Sequence, residues 1–275
     1  MSLFEAIIIA VVEGITEFLP ISSTGHMIIT SALLGDDLHK QEFTKLFEVA
    51  IQLGAILAVV VLYWRKFFDF KRWQFYVKLM VAVLPALVLG FIFSDRIDAL
   101  LESPLTVAIT LLLGGVVLLF IDKAFQQGTI DKEENLPYKN AFIVGVWQCI
   151  AMIPGVSRSA ASIIGGMQQN LTRRLAAEFS FFLAVPTMAA ATLYSLFFKN
   201  WNLTEGEYKG YEMILSTNQH LQVFVVGNVV AFIVAILAIK FFIGFLQKHG
   251  FLLFGWYRII AGIILLGLIW KGIIK

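Results

Sequence analysis

The chain has 275 residues, of which 59% are hydrophobic and 15% charged, with a net charge of +2 and a mean hydropathy of +0.83. That balance excludes a water-soluble globular domain, and the scattered loop placement of the basic residues excludes a nucleic-acid partner. The single cysteine, Cys149, excludes an internal disulfide; in its apolar run it reads as a packed thiol rather than a nucleophile.

From the start of the chain, residues 6–12 carry no polar side chain, but Glu5, Glu13 and Glu17 interrupt the run. No basic segment precedes it, so it does not read as a signal peptide. Six later segments are long enough to cross a bilayer at roughly 20 residues per helix. They are residues 46–64, 76–93, 104–121, 178–198, 221–246 and 254–274. Two other apolar stretches are each broken by a polar turn: 3–19 with 27–34, and 141–153 with 160–167. Half-length apolar runs around a polar break predict re-entrant helical hairpins, tolerated at membrane depth only where they line an enclosed cavity.

The two breaks resemble each other. Leu19-Pro20-Ile21-Ser22-Ser23-Thr24 and Ile153-Pro154-Gly155-Val156-Ser157-Arg158-Ser159 both run from apolar residues through proline into a hydroxyl-rich turn. Each is followed by three spans, with an acid near the start of the first (Glu48, Glu178) and a tyrosine near its end (Tyr63, Tyr194). The predicted fold is therefore an all-α integral membrane protein with six transmembrane helices and two re-entrant hairpins in two inverted repeats. The repeats cover residues 1–125 and 140–275, joined by a polar linker, 126–139. Such folds place their site at the repeat interface near mid-membrane. Arg65, Lys66, Lys71 and Arg72 put their loop in the cytoplasm, and Asp95, Asp98 and Glu102 put theirs outside, although Lys271 and Lys275 count against that orientation.

The chemistry is concentrated in the two turns. Glu13 and Glu17 lie four residues apart on one helix face; in a low-dielectric site they share a proton, raise one pKa or hold a cation. Ionisable groups at that depth cost roughly 2.5–3.5 kcal/mol each on insertion scales, so they mark a site rather than a span. Ser22, Ser23, Thr24, Gly25 and His26 supply hydroxyls, an imidazole and helix-start amides, which suit displacement at an anionic centre. The bland alternative, serine capping with a packed histidine, explains the hydroxyls and not His26. Arg158, between Ser157 and Ser159, needs an anionic partner, and its fork suits phosphate. Arg258 is a second candidate for phosphate. Glu48, Gln52, Glu178 and Asn228 read as interhelical partners, and His39, His220 and His249 as solvated loop residues.

These motifs make the chain resemble the undecaprenyl-diphosphate phosphatase family, membrane proteins known for bacitracin resistance. The first motif is matched by Glu13, Glu17, Pro20 and Ser22 through His26, the second by Gly155 through Ser159. Phe47-Glu48-Val49 and Tyr257-Arg258 extend the likeness, and Ala160 departs from it where many members have glycine. The resemblance implies hydrolysis of the terminal phosphate of a C55 isoprenyl diphosphate in the bacterial cytoplasmic membrane, regenerating the carrier used in peptidoglycan synthesis. The type 2 phosphatidic acid phosphatases are excluded, because no Arg-Pro exists and Ile163-Ile164 follow Arg158 where that family needs a histidine.

The expected roles follow. Arg158 with Ser157, Ser159, Ser22, Thr24, Gly25 and Arg258 binds the diphosphate. Ser23 attacks phosphorus or orients water, and His26 handles the proton. Glu13 and Glu17 position His26 or a divalent cation such as Mg2+. The site is expected to open to the outer face. The expected partners are the lipid substrate and the membrane, with a homodimer left open. The competing reading is a carrier that flips the lipid, which needs a binding site but no nucleophile and base.

Overall fold

Helices carry this chain almost from end to end, as its apolar runs predict. The structure is a computed structural model and describes residues 1–275 except 36, 37, 39, 40, 94, 95, 97–99, 101, 102, 126, 127, 204, 205 and 275. The expectations for His39, Asp95, Asp98, Glu102 and Lys275 lie outside the described residues. The first hairpin comprises α1 (Leu3–Thr16) and α2 (Ser23–Leu34). Then come α3 (Glu42–Ala50), α4 (Gln52–Leu62), the short α5 (Trp64–Phe67), α6 (Trp73–Ile92) and α7 (Pro104–Ala124). The second half has α8 (Tyr138–Cys149), α9 (Arg158–Gln168), α10 (Arg173–Phe197), α11 (Gly210–Leu215), α12 (Asn218–His249) and α13 (Leu252–Trp270).

Six helices among the described residues are long and apolar enough to cross a membrane, and they coincide with the six predicted spans. The first, Glu42–Leu62, is broken at Ile51 into α3 and α4. There Asn228 Oδ1 accepts the Gly54 amide at 2.9 Å, and a side chain inserted into the helical ladder is a known cause of kinks. By contrast α1, with 14 residues, rises only about 21 Å, short of the roughly 30 Å hydrocarbon core. The 12, 12 and 11 residues of α2, α8 and α9 are shorter still.

Contacts at the helix ends order the bundle. At one end Met1 O accepts from Gln219 Nε2 (3.1 Å) and Phe43 stacks on His220 (centroids 3.8 Å), so α1, α3 and α12 start together. At the other, Lys66 binds Glu133 (3.3 Å) and Glu178 (3.6 Å), Arg72 pairs with Glu133 and Glu134, and Asp122 pairs with Arg173 (2.7 Å). Burial pushes the Glu133 carboxyl up, but backbone hydrogen bonding and the charges of Lys66 and Arg72 outweigh it and hold the group below its ordinary value. The α8–α9 pair returns to the end where it began. Asn140 Nδ2 donates to Gln169 O (3.4 Å) and Ile130 bridges to Leu171.

Packing interlocks the two halves: α1 lies on α12 and α8 on α6, α4 meets α12 as α10 meets α6, and α7 pairs with α13. Small residues set these approaches. A Cβ at Gly145 would strike the Ala82 carbonyl, and one at Gly54 the Asn228 carbonyl.

The helical bundle also carries a short strand pair, and one expectation, for two histidines, needs correction. A β-hairpin, β1 (Asn200–Leu203) with β2 (Gly206–Lys209), sits between α10 and α11, anchored by buried Trp201 donating to Ser195 O at 3.0 Å. His220 and His249 belong to the two ends of α12 rather than to loops, because the polar residues flanking its apolar run continue the helix.

Candidate functional site

Each hairpin turns on a proline, and each turn ends in a serine with left-handed backbone, Ser22 at φ 70° and Ser157 at φ 77°. A side chain there costs of order 1–3 kcal/mol and persists only where the surroundings enforce it. Both serines cap the next helix. Ser22 Oγ accepts from Gly25 N (3.4 Å) and Ser157 Oγ from Ala160 N (3.2 Å). The two strained turns thus start α2 and α9 alike, and put Ser23 and Arg158 at equivalent first helical positions.

These two side chains converge on one carboxylate. Ser23 Oγ donates to Glu17 Oε2 at 2.5 Å. Arg158 donates to Glu17 Oε1 through Nη2 (3.0 Å) and Nε (3.3 Å), and to Ser180 O through Nη1 (3.0 Å). The ion pair is largely desolvated, with side-chain exposures of 12% and 7%. Breaking one side of such a pair is costly, because it strands a buried charge. Guanidinium has five N–H donors, so these contacts leave part of the fork for a second anion. Ser159 Oγ donates to Leu19 O (2.7 Å) and joins the turns directly.

His26 is oriented otherwise than expected. Its Nδ1 lies 2.7 Å from Ser22 O and its Nε2 2.7 Å from the Tyr257 hydroxyl. Ser23 therefore has Glu17 as its hydrogen-bond acceptor, not His26. One helical turn separates Ser23 from His26, yet the hydroxyl meets Glu17 after α1 and the imidazole meets Tyr257 of α13.

Arg258 also takes a different place. It is fully buried and donates to the carbonyls of Leu111 (3.4 Å), Pro20 (3.3 Å), Val156 (2.8 Å), Thr110 (3.0 Å) and Gly155 (2.8 Å). Every donor of its fork is matched by backbone, so it fastens both turns together and keeps none for a ligand. Gly25 lets α2 approach Val107 and Leu111 of α7, which a Cβ would meet at 3.1 and 3.2 Å. Thr24 is half-buried in the first turn of α2.

Glu13 is completely buried with both carboxylate oxygens lacking a hydrogen-bond partner. Glu17 and Glu48 are its electrostatic neighbours, and one oxygen of Glu48 is likewise unpartnered. Orphaned oxygens beside a second carboxylate fit a cation, although no group of three or more His, Cys, Asp or Glu that could hold a metal occurs among the described residues. Bound phosphate oxygens would have to complete such a site.

A hydroxyl on a carboxylate, a partly free guanidinium and two helix starts in one buried place are equipped to bind an anion and displace at it. Sequence reasoning missed Tyr257, Thr110 and Ser180. Thr110 Oγ1 donates to Pro154 O at 2.5 Å. All three act across long sequence separations and carry no local signature; only the tyrosine beside Arg258 offered a clue.

The family model described as bacitracin resistance protein BacA matches residues 6–264. The undecaprenyl-diphosphatase of Flavobacterium psychrophilum is 56% identical over 97% of this chain and 95% of its own length. That of Flavobacterium johnsoniae is 55% identical (97% and 96%), and that of Aquifex aeolicus 40% identical (96% and 97%).

Proposed function

Since the chain belongs to the BacA family of bacitracin-resistance proteins, we infer that the buried meeting of its two turns hydrolyses undecaprenyl diphosphate to undecaprenyl phosphate and inorganic phosphate. The protein is a membrane enzyme of that specificity, and its product is the lipid carrier of peptidoglycan synthesis. The phosphatase reading holds over the carrier reading, as its relatives bear the phosphatase name.

One observation carries the mechanism: the Ser23 hydroxyl sits on Glu17 while Arg158, from the other turn, holds the same carboxylate. Ser23 Oγ attacks the terminal phosphorus, its proton passes to Glu17, and the bond to the undecaprenyl phosphate oxygen breaks. Water then attacks the phosphoserine and gives a proton to His26 Nε2, while Glu17 returns its proton to the departing Ser23 oxygen. Arg158 and the first-turn amides of α2 and α9 hold the phosphate oxygens. Glu13, with the Glu48 carboxylate beside it, would hold a divalent cation such as Mg2+, which when bound offsets diphosphate charge; Glu17, the other expected ligand, has both oxygens engaged by Ser23 and Arg158. Rapid quenching with substrate labelled in its terminal phosphate should trap label on Ser23 and none in Ser23→Ala. Label on His26, or turnover retained by Ser23→Ala, would overturn this assignment.

The architecture is best read as two inverted halves, 1–125 and 140–275, joined by the 126–139 linker, with both hairpins re-entrant. Support comes from the matched packing of α1 on α12 and α8 on α6, the short hairpin helices, and the twin turns. The basic end belongs in the cytoplasm of a bacterial inner membrane: Arg65, Lys66, Lys71 and Arg72 share that end with Arg173 and with Lys123 beside Asp122. The first hairpin then enters from outside, and the lipid head group with it. In a Cys149→Ser background, an impermeant thiol reagent should label a cysteine at Ser103 in intact cells and one at Lys71 only after permeabilisation. The reverse pattern would invert the protein.

A further inference from the structure

His26 is the group of the site whose chemistry depends on where its proton sits. Its Nδ1 is 2.7 Å from Ser22 O, and a carbonyl only accepts, so Nδ1 carries the hydrogen. The Nε2 lone pair of the neutral ring then accepts from the Tyr257 hydroxyl at 2.7 Å, with the two ring planes within 6°. Tyr257 is 44% exposed, but its position is not loose. The next residue, Arg258, is fully buried and fastens α13 to both turns through carbonyls of Pro20, Gly155 and Val156. The dipeptide thus reads the two sides of one site: Arg258 holds the turns, and Tyr257 meets the imidazole that projects from the first of them.

Few groups compete for that imidazole. Charge reaches it from Arg258 on α13. On the α7 side, Val107 and Leu111 face the adjacent Gly25, and neither titrates. Glu17, on the turn after α1, has Ser23 and Arg158 as its hydrogen-bond partners. Ser22 O, by taking Nδ1–H, selects the ring nitrogen that carries the proton.

We propose that Tyr257 is a positioning residue for the breakdown of the phosphoserine: its hydroxyl, donating to Nε2, fixes the ring whose Nδ1–H tautomer Ser22 O sets, and yields that nitrogen to the attacking water. This rests on the covalent reading of Ser23 given above. In the step, a bond forms between the water oxygen and phosphorus and the bond from phosphorus to Ser23 Oγ breaks. One water proton goes to Nε2 and later to solvent, and Oγ recovers the proton held by Glu17. Tyr257 neither gains nor loses a proton.

Tyr257→Phe keeps the ring and removes the hydroxyl. The expected result is a kcat reduced by roughly tenfold, less than the roughly 10²–10⁴-fold of a removed proton acceptor because His26 itself remains, with KM falling alongside it because only breakdown is slowed. Phosphoserine should form at the wild-type rate and accumulate, and the acid limb of the pH profile should move. Nitrogen NMR of histidine-labelled protein, assigned with His26→Gln, should show the Nδ1–H form in both proteins, with the Nε2 resonance shifted in the variant by loss of the tyrosine donor. An unchanged kcat, equal slowing of formation and breakdown, or an unmoved acid limb and Nε2 resonance would overturn the proposal. If wild type itself gives no phosphoserine, the covalent reading falls alone, and the Nε2 resonance and pH profile decide the role of Tyr257.

Discussion

Glu17→Gln should lower kcat by about 10²–10⁴-fold, the range for removing a positioned proton acceptor, while the protein still folds. Glu17 has two tasks in the structure: Oε2 accepts from Ser23 and Oε1 from Arg158. Glutamine is nearly isosteric and keeps a carbonyl for Arg158, so the link between the turns survives in part. What it lacks is a site for the serine proton. The neighbouring contacts Ser159 Oγ to Leu19 O and Arg258 to Pro20, Gly155 and Val156 do not involve Glu17 and should hold the hairpins together. Turnover in detergent measured beside thermal unfolding separates the two effects. A large fall in kcat with a melting temperature within a few degrees of wild type is expected. Turnover within threefold of wild type would remove Glu17 as the proton acceptor and return that task to His26.

Much of this site is legible in the sequence, for a physical reason. Carboxylates, an arginine and a histidine among membrane-grade apolar residues are too costly to be incidental, so Glu13, Glu17, His26 and Arg158 announce themselves. Proline followed by serines announces the turns. The spans are legible because their length is set by the bilayer, and all six appear within a few residues of where hydropathy puts them. Pairings within the site are less so. Spacing places Ser23 and His26 on one helical face, yet their side chains take partners from different helices and turns. No spacing rule predicts that a buried arginine will bind only carbonyls, as Arg258 does, since backbone acceptors leave no mark in the side-chain pattern. The break at Ile51 depends on Asn228, which lies in another helix altogether. The β-hairpin after α10 is likewise held by tertiary contacts of Trp201 more than by its own strand pattern.

Arg158→Lys should not restore the enzyme. Lysine keeps the charge and the approach to Glu17, so the turns remain paired and the fold should survive. By contrast, alanine would strand the Glu17 carboxylate, a change that costs about 3–5 kcal/mol in buried pairs, and would confuse loss of fold with loss of function. What lysine loses is the fork. Arg158 uses Nε and Nη2 on Glu17 and Nη1 on Ser180 O at the same time, and still has donors to offer a phosphate oxygen. An ammonium is a compact point charge that cannot span those partners in one plane. Drawn to the Glu17 carboxylate, it would leave the developing phosphoryl charge without its fixed donor. Losing a preorganised donor of this kind costs about 2–4 kcal/mol in the transition state, which converts to a fall of about 30- to 900-fold in kcat/KM. If the contact strengthens as phosphorus is attacked, the loss should appear in kcat rather than KM. Steady-state kinetics of the lysine variant against wild type, in the same detergent and with the melting temperature recorded, decides the point. Near-wild-type kcat/KM would show that charge alone suffices, and Arg158 would then serve only to hold Glu17 in place.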